Sequence, residues 1–190
     1  MQSITNGIGA IILAAGASTR LGRPKQTVVF RGETLLDRAV RITQAAGVSE
    51  TIVVLGAFAS KIHKECRLEG CTVVENPDWS SGMGSSIRRG IESLRKVEGA
   101  LILTCDMPAV TTAHLQMLGA SGNLTASLYD GKAGVPAYFP RTMFGLLSQL
   151  EDNRGAGHLL SSAETIALSR GEVDVDTPED LSHLLSNELL

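Results

Sequence analysis

The chain has 190 residues, enough for a single domain. Its 43% apolar content excludes wholesale disorder, and with only 4% aromatic residues the core must come from Leu, Ile, Val and Ala. A net charge of −3 argues against a general nucleic-acid coat or a polybasic membrane anchor. The average hides an asymmetry. Residues 1–32 carry Arg20, Arg23, Lys25 and Arg31 and no acid, while all 20 acids stand among the remaining 13 basic residues. No apolar run reaches the ~20 residues of a transmembrane helix. The start, MQSITNG, lacks the basic segment of a signal peptide. Cys66, Cys71 and Cys105 are odd in number and not framework-spaced, which suits reduced thiols, so a cytoplasmic location is expected.

In chain order, the apolar run 8–13 reads as a strand buried on both faces. Thr34 reads as an N-cap with Asp37 as its capping-box partner. Leu35, Leu36, Ala39, Val40 and Ile42 follow at helical spacing, and Gly47 ends the helix. A strand at 51–55, a helix at 57–66 and a strand at 71–74 come next. They precede a helix at 85–96, a strand at 100–104 and a helix at 111–118. A strand pair at 124–129 and 135–139 surrounds Gly131 and Gly134, before a helix at 141–150. Short strands at 164–169 and 172–175 lead to a closing helix at 177–185, with Pro178 at its first position. Strands separated by helices imply βαβ units and a mostly parallel sheet. In such sheets ligands sit beyond the carboxyl ends of the strands, which directs attention to 14–25, 75–86 and 105–108.

The segment Leu13-Ala14-Ala15-Gly16-Ala17-Ser18-Thr19-Arg20-Leu21-Gly22-Arg23-Pro24-Lys25 is neither a Walker loop nor a dinucleotide fingerprint, and the missing fingerprint argues against an oxidoreductase. Its physics is nonetheless that of a phosphate cradle. Small residues let backbone N–H groups approach an anion, Arg20 can fork onto phosphate oxygens, and Lys25 offers a mobile charge behind the stiffening Pro24. The competing reading is a solvated basic loop. Asp106, just past the strand at 100–104, is placed to anchor Mg²⁺ or to cap a turn before Pro108. Asp174 and Asp176 alternate on one face if 172–175 is a strand, and Asp176 also reads as a helix cap. Gly82-Met83-Gly84-Ser85-Ser86 opens a helix, where glycines would admit a flat base and the Ser85 and Ser86 hydroxyls would read its edge; a plain capped loop is the alternative. Trp79 reads more naturally as core or rim than as a ligand contact. His63, Cys66 and Cys71 lack a fourth ligand, Cys105 reads as a small buried thiol, and His114, His158 and His183 have no nameable partners.

LAAGASTRLGRPK resembles the signature loop of sugar-nucleotide pyrophosphorylase-like nucleotidyltransferases. Four further stretches resemble motifs of the molybdenum cofactor nucleotidyltransferases (MobA-like NTP transferases), closest to their cytidylyltransferase branch. These are Asn76-Pro77-x-Trp79-x-x-Gly82-Met83-Gly84-Ser85-Ser86, Cys105-Asp106-Met107-Pro108, Gly134-Val135-Pro136 and Asp174-Val175-Asp176-Thr177-Pro178-Glu179-Asp180-Leu181. The resemblance runs from about 8 to 185. It implies one domain over 1–190 with the Rossmann-like three-layer α/β fold of nucleotide-diphospho-sugar transferases and a mostly parallel central sheet. It implies a nucleotide bound by Leu13, Ala14, Ala15, Gly16, Arg20, Lys25, Gly82 and Ser86, catalysis by Arg20 and Lys25, and Mg²⁺ on Asp106 and Asp176, with Asp174 as the alternative second ligand. Ala15, where the guanylyl branch typically has glycine, favours CTP over GTP. The implied reaction transfers CMP from CTP to molybdopterin with release of pyrophosphate, and a client molybdoenzyme of the xanthine dehydrogenase type is the expected partner. The acceptor would face 131–136 and 151–157, with Arg154 replacing the family arginine that Gly157 displaces. The alternatives are an isoprenoid-pathway type cytidylyltransferase, a guanylyltransferase of the same family, and a non-catalytic nucleotide-binding module for molybdoenzyme maturation.

Overall fold

The computed structural model describes residues 7–186. Apolar continuity sets the centre of the sheet. Every residue of β1 (Ile8–Ala14) is buried, and β1 pairs in parallel with β4 (Glu50–Leu55) on one side and β6 (Gly99–Thr104) on the other. Beyond β4 lies β5 (Thr72–Glu75), also parallel. Beyond β6 come β8 (Lys132–Pro140), β7 (Thr125–Tyr129) and β9 (Glu164–Ala167). Only β8 runs against the rest, so the seven-stranded sheet, ordered β5-β4-β1-β6-β8-β7-β9, is mostly parallel. Strand order reverses direction at β1, since the chain adds β4 and β5 on one side and then β6 on the other. The crevice at this reversal is where open α/β sheets bind ligands.

Because side chains alternate across a strand, β1 feeds both faces. Ala10, Ile12 and Ala14 pack with residues of α1 (Leu35–Ala45), α2 (Ala59–Glu65) and α4 (Thr112–Ala120). Ile11 and Leu13 pack with α3 (Met83–Ser93), α5 (Phe144–Leu147) and the 3₁₀ turns of Ala156–Ser162. The result is three layers. Each fully buried Ile or Leu contributes about 1.5–3 kcal/mol of apolar burial, which fixes the register of the central strands and hence where their carboxyl ends stand. A third, smaller cluster joins Leu21, Val28, Phe30 and Leu35 to Val175 and to Leu184 of α6 (Pro178–Leu185). It brings the last described segment back onto the first loop.

Several expected elements differ. The two-residue strands β2 (Val29–Phe30) and β3 (Glu33–Thr34) form a small ribbon too short to read from periodicity. The expected strand 172–175 is irregular: Val175 gives its backbone N–H to the Asp106 carbonyl at 3.1 Å and joins no ladder. The expected helix 141–150 is a 3₁₀ turn (Arg141–Met143) followed by the four-residue α5. Thr34 caps α1 by accepting from Asp37 N–H, but the Asp37 carboxylate takes the Arg67 N–H at 2.6 Å and does not reach back to the cap, so half of that capping box is absent. A complete box opens α6 instead, between Thr177 and Asp180, so the cap there is Thr177 and not the expected Asp176. Among the described residues no helix is long and apolar enough to cross a membrane.

Candidate active site

The first loop leaves β1 and turns sharply at Ser18, whose left-handed backbone (φ 51°) lets its carbonyl accept from both Leu21 and Gly22 at 3.1 Å. The Ser18 hydroxyl accepts from Lys25 N–H at 3.1 Å and so ties the two ends of the loop together. Gln26, fully buried, donates its side-chain amide to the Ala14 carbonyl at 2.7 Å and the Gly16 carbonyl at 3.1 Å. A buried amide spent on two carbonyls holds the loop in shape without using its N–H groups, which is what an anion cradle needs. Gln26 was not among the expected site residues, and its local sequence, between Lys25 and Thr27, carries no signal for it.

Lys25 Nζ lies between two carboxylates. It donates to Asp176 Oδ1 at 2.7 Å and makes a short bond to Asp106 Oδ2, while Arg20 pairs with Asp176 Oδ2. Burial disfavours the charge on Lys25, but the facing Asp106, aided by Asp176, outweighs it, and the ammonium is held above its ordinary range. Burial would raise the Asp176 carboxyl, yet Lys25 and Arg20 hold it below the usual carboxylate range. Asp174 goes the other way, raised by partial burial and by the neighbouring Asp176 and Asp106. Asp106 is buried, and its Oδ1 has no hydrogen-bond partner. Beside it, burial and the Asp106 charge push the Cys105 thiol far up, so it is an inert core group.

Two adjoining cavities open from this centre. The first, about 320 Å³, is lined by Leu13, Ala15, Gly16, Trp79, Gly82, Met83, Ser86 and others, with Lys25 and Asp106 at its floor. The second, about 390 Å³, is lined by Arg20, Lys25, Asp106, Tyr129, Val135, Glu172, Asp174 and Asp176 among others. Of the expected nucleotide residues only Ala14 stands outside both linings. Trp79, read as core or rim, borders the first cavity. Gly84 serves another purpose than the one expected. A Cβ there would sit 2.0 Å from the Glu151 carbonyl oxygen, so the glycine admits the 151–154 backbone and not a base, and Gly84 N–H donates to the Asp152 carbonyl at 2.9 Å. The 151–157 stretch therefore packs on the start of α3 and lines neither cavity, while Val135 of the 131–136 stretch lines the second. A second close approach was not foreseen. A Cβ on Gly56 would meet Trp79 Cβ at 2.5 Å and the Ala15 carbonyl at 2.8 Å. The histidines have partners after all: His114 Nε2 bonds the Ser127 hydroxyl at 2.8 Å and His158 Nδ1 the Gly155 carbonyl at 3.2 Å. His183 is also engaged.

The sequence matches the model of the MobA-like NTP transferase domain over residues 10–167. The chain belongs to that family. The family is one of nucleotidyltransferases by its description. Rv0371c of Mycobacterium tuberculosis H37Rv superposes with a TM-score of 0.87 at 30% identity, covering 98% of this chain and 100% of that one. Its complex with manganese superposes at 0.83 with 28% identity, covering 96% and 99%. Relatives carry mixed names. Nicotine blue oxidoreductase of Paenarthrobacter nicotinovorans is 35% identical over 132 residues, 69% of this chain but only 62% of that protein's length. The molybdenum cofactor cytidylyltransferase of Escherichia coli K12 is 25% identical over 182 residues, covering 92% and 94%.

Proposed function

We propose that the protein transfers CMP from CTP to molybdopterin and releases pyrophosphate. The observation that carries this reading is the convergence of Lys25 with Asp106 and Asp176 at the reversal point of the sheet, between one mostly apolar cavity and one charged cavity. In-line attack of an acceptor phosphate on the α-phosphorus spreads negative charge over phosphate oxygens, and positioned cations stabilise it more than any covalent device would. Lys25, held protonated by its carboxylates, faces both cavities and is placed to meet the α-phosphate and the acceptor. Arg20, largely solvent-exposed, is free to swing onto the leaving pyrophosphate. An ionised acceptor phosphate needs no general base.

The donors present fit Mg²⁺. Asp106 Oδ1 is a buried carboxylate oxygen lacking a partner, while Asp106 Oδ2 and Asp176 Oδ1 both meet Lys25 Nζ. Magnesium takes one or two carboxylates together with substrate phosphates. Asp106 and Asp176 would hold it, and when bound it supplies charge neutralisation to the phosphates. The manganese complex of the mycobacterial structure supports a divalent ion in this fold. Ala15 at the wall of the first cavity supports a pyrimidine, as does the likeness to the Escherichia coli cytidylyltransferase.

The test is pyrophosphate release from each of four NTPs with Mg²⁺, with and without molybdopterin. Release with CTP only when the acceptor is present is expected. Preference for GTP would overturn the base assignment, and transfer to a different phosphorylated acceptor would overturn molybdopterin.

A further inference from the structure

Asn76 follows β5 and is almost fully buried, as are Ser85 and Ser86 on α3. Its amide orientation is determined by its surroundings. Oδ1 accepts from Asp78 N–H at 3.0 Å, a group that can only donate, so Nδ2 must face the serines. Nδ2 has two hydrogens, and both are used: one to Ser85 Oγ at 2.8 Å and one to Ser86 Oγ at 3.0 Å. Each serine oxygen therefore accepts from Asn76 and must send its own proton elsewhere. Ser85 has takers in the carbonyls of Gly82 at 2.8 Å and Asp78 at 3.0 Å. For Ser86 no acceptor is found among the described residues, and the side chain borders the first cavity.

We infer that Asn76 is a positioning residue that fixes Ser86 as a hydrogen-bond donor into the cavity, so that a bound base must present a lone pair there. The inference rests on reading this cavity as the base site. Cytosine meets the requirement through its adjacent carbonyl oxygen and unprotonated ring nitrogen. In Asn76→Asp the carboxylate keeps the Asp78 N–H bond but accepts from the serines, and Ser86 then turns its proton inward and shows the base a lone pair. Asn76 thus sets the polarity of the contact without touching the ligand.

Trp79 is the sole tryptophan and lines the same cavity, so its fluorescence reports base occupancy. The experiment titrates wild type, Asn76→Asp, Ser86→Ala and the double variant with Mg²⁺ and CTP, following Trp79. Calorimetry with inorganic triphosphate is run in parallel. Either single substitution is expected to weaken CTP binding about tenfold, the worth of one hydrogen bond left unmade. The double variant is expected to match Ser86→Ala alone, with triphosphate affinity unchanged in Ser86→Ala. Unchanged CTP affinity in either single variant overturns the inference. So do losses that multiply in the double variant, or a parallel loss of triphosphate affinity in Ser86→Ala. If wild type prefers GTP, the cytidine reading fails while the same series run with GTP still decides the role of Asn76.

Discussion

The two cavities share Lys25, Met83, Thr104 and Asp106, yet they are built on different principles. The first is shaped by backbone packed against backbone and by amides with every hydrogen assigned: Gly56 under Trp79, Gln26 behind the loop, Asn76 behind Ser86. Such a wall has one low-energy arrangement whether or not a ligand is present. The second is shaped by opposed charges, with Lys25 and Arg20 set among Asp106, Asp174 and Asp176. Its geometry is a balance of attractions, and any added cation or phosphate redistributes them. On the proposed function, base selection would fall to a rigid wall and phosphate chemistry to an adjustable one.

Substitutions should separate the two. Lys25→Ala or Asp106→Ala is expected to lower pyrophosphate release about 100- to 1000-fold, as loss of a charge-stabilising group does. Trp79 quenching by cytidine alone should persist, since either substitution trims only the floor of the first cavity and leaves Ala15, Trp79, Gly82 and Ser86 in place. Equal loss in both assays would break the distinction. Gly56→Ala attacks the rigid wall. Its Cβ has nowhere to go, and overpacking of this kind costs about 1–3 kcal/mol, measurable by urea denaturation, together with weakened cytidine binding. Full stability in that variant would show the first cavity to be soft.

The smallest effect is expected from Asp174→Asn without divalent metal. The carboxyl is raised in the folded chain, so its charge opposes folding above its unfolded value of about 3.9. The penalty is relieved as pH falls through the raised folded value. The variant should therefore melt slightly higher than wild type at pH 7 and equally at pH 3. Asp174 is only partly buried, with more than a third of its surface open to solvent, which screens the effect and keeps it small. Asp176, held below the usual range, contributes with the opposite sign: its stabilisation is present above the unfolded value and lost as pH falls through the lower folded one. A lower melting temperature for Asp174→Asn at pH 7 would mean that Asp174 is part of the attractive balance.

Local signals carried far. The unbroken apolar runs of β1, β4 and β6 identified the buried strands, and a loop free of acids identified the cationic side of the site. Pro178 marked the start of α6, but its cap is Thr177 with Asp180 as box partner, and not the Asp176 that the pattern offered. What escaped was non-local. Gln26, Gly56 and Asn76 matter because of what lies across space from them, and nothing in their own neighbourhoods says so. Alternation at Asp174 and Asp176 read as a strand because pattern cannot tell a ladder from a single bond to the Asp106 carbonyl. Asp37 read as a box partner because the rival donor, Arg67 N–H, lies thirty residues away.

That single bond from Val175 has a consequence for assembly. Lys25 meets Asp106 across 81 residues and Asp176 across 151, and Asp176 arrives only when its segment docks, through Val175 N–H, on the Asp106 carbonyl just past β6. A chain with its sheet formed but this segment undocked would offer one carboxylate where the folded protein offers two. The pair of acids thus acts as a completeness check: the two-carboxylate centre exists only once both ends of the described chain have found each other.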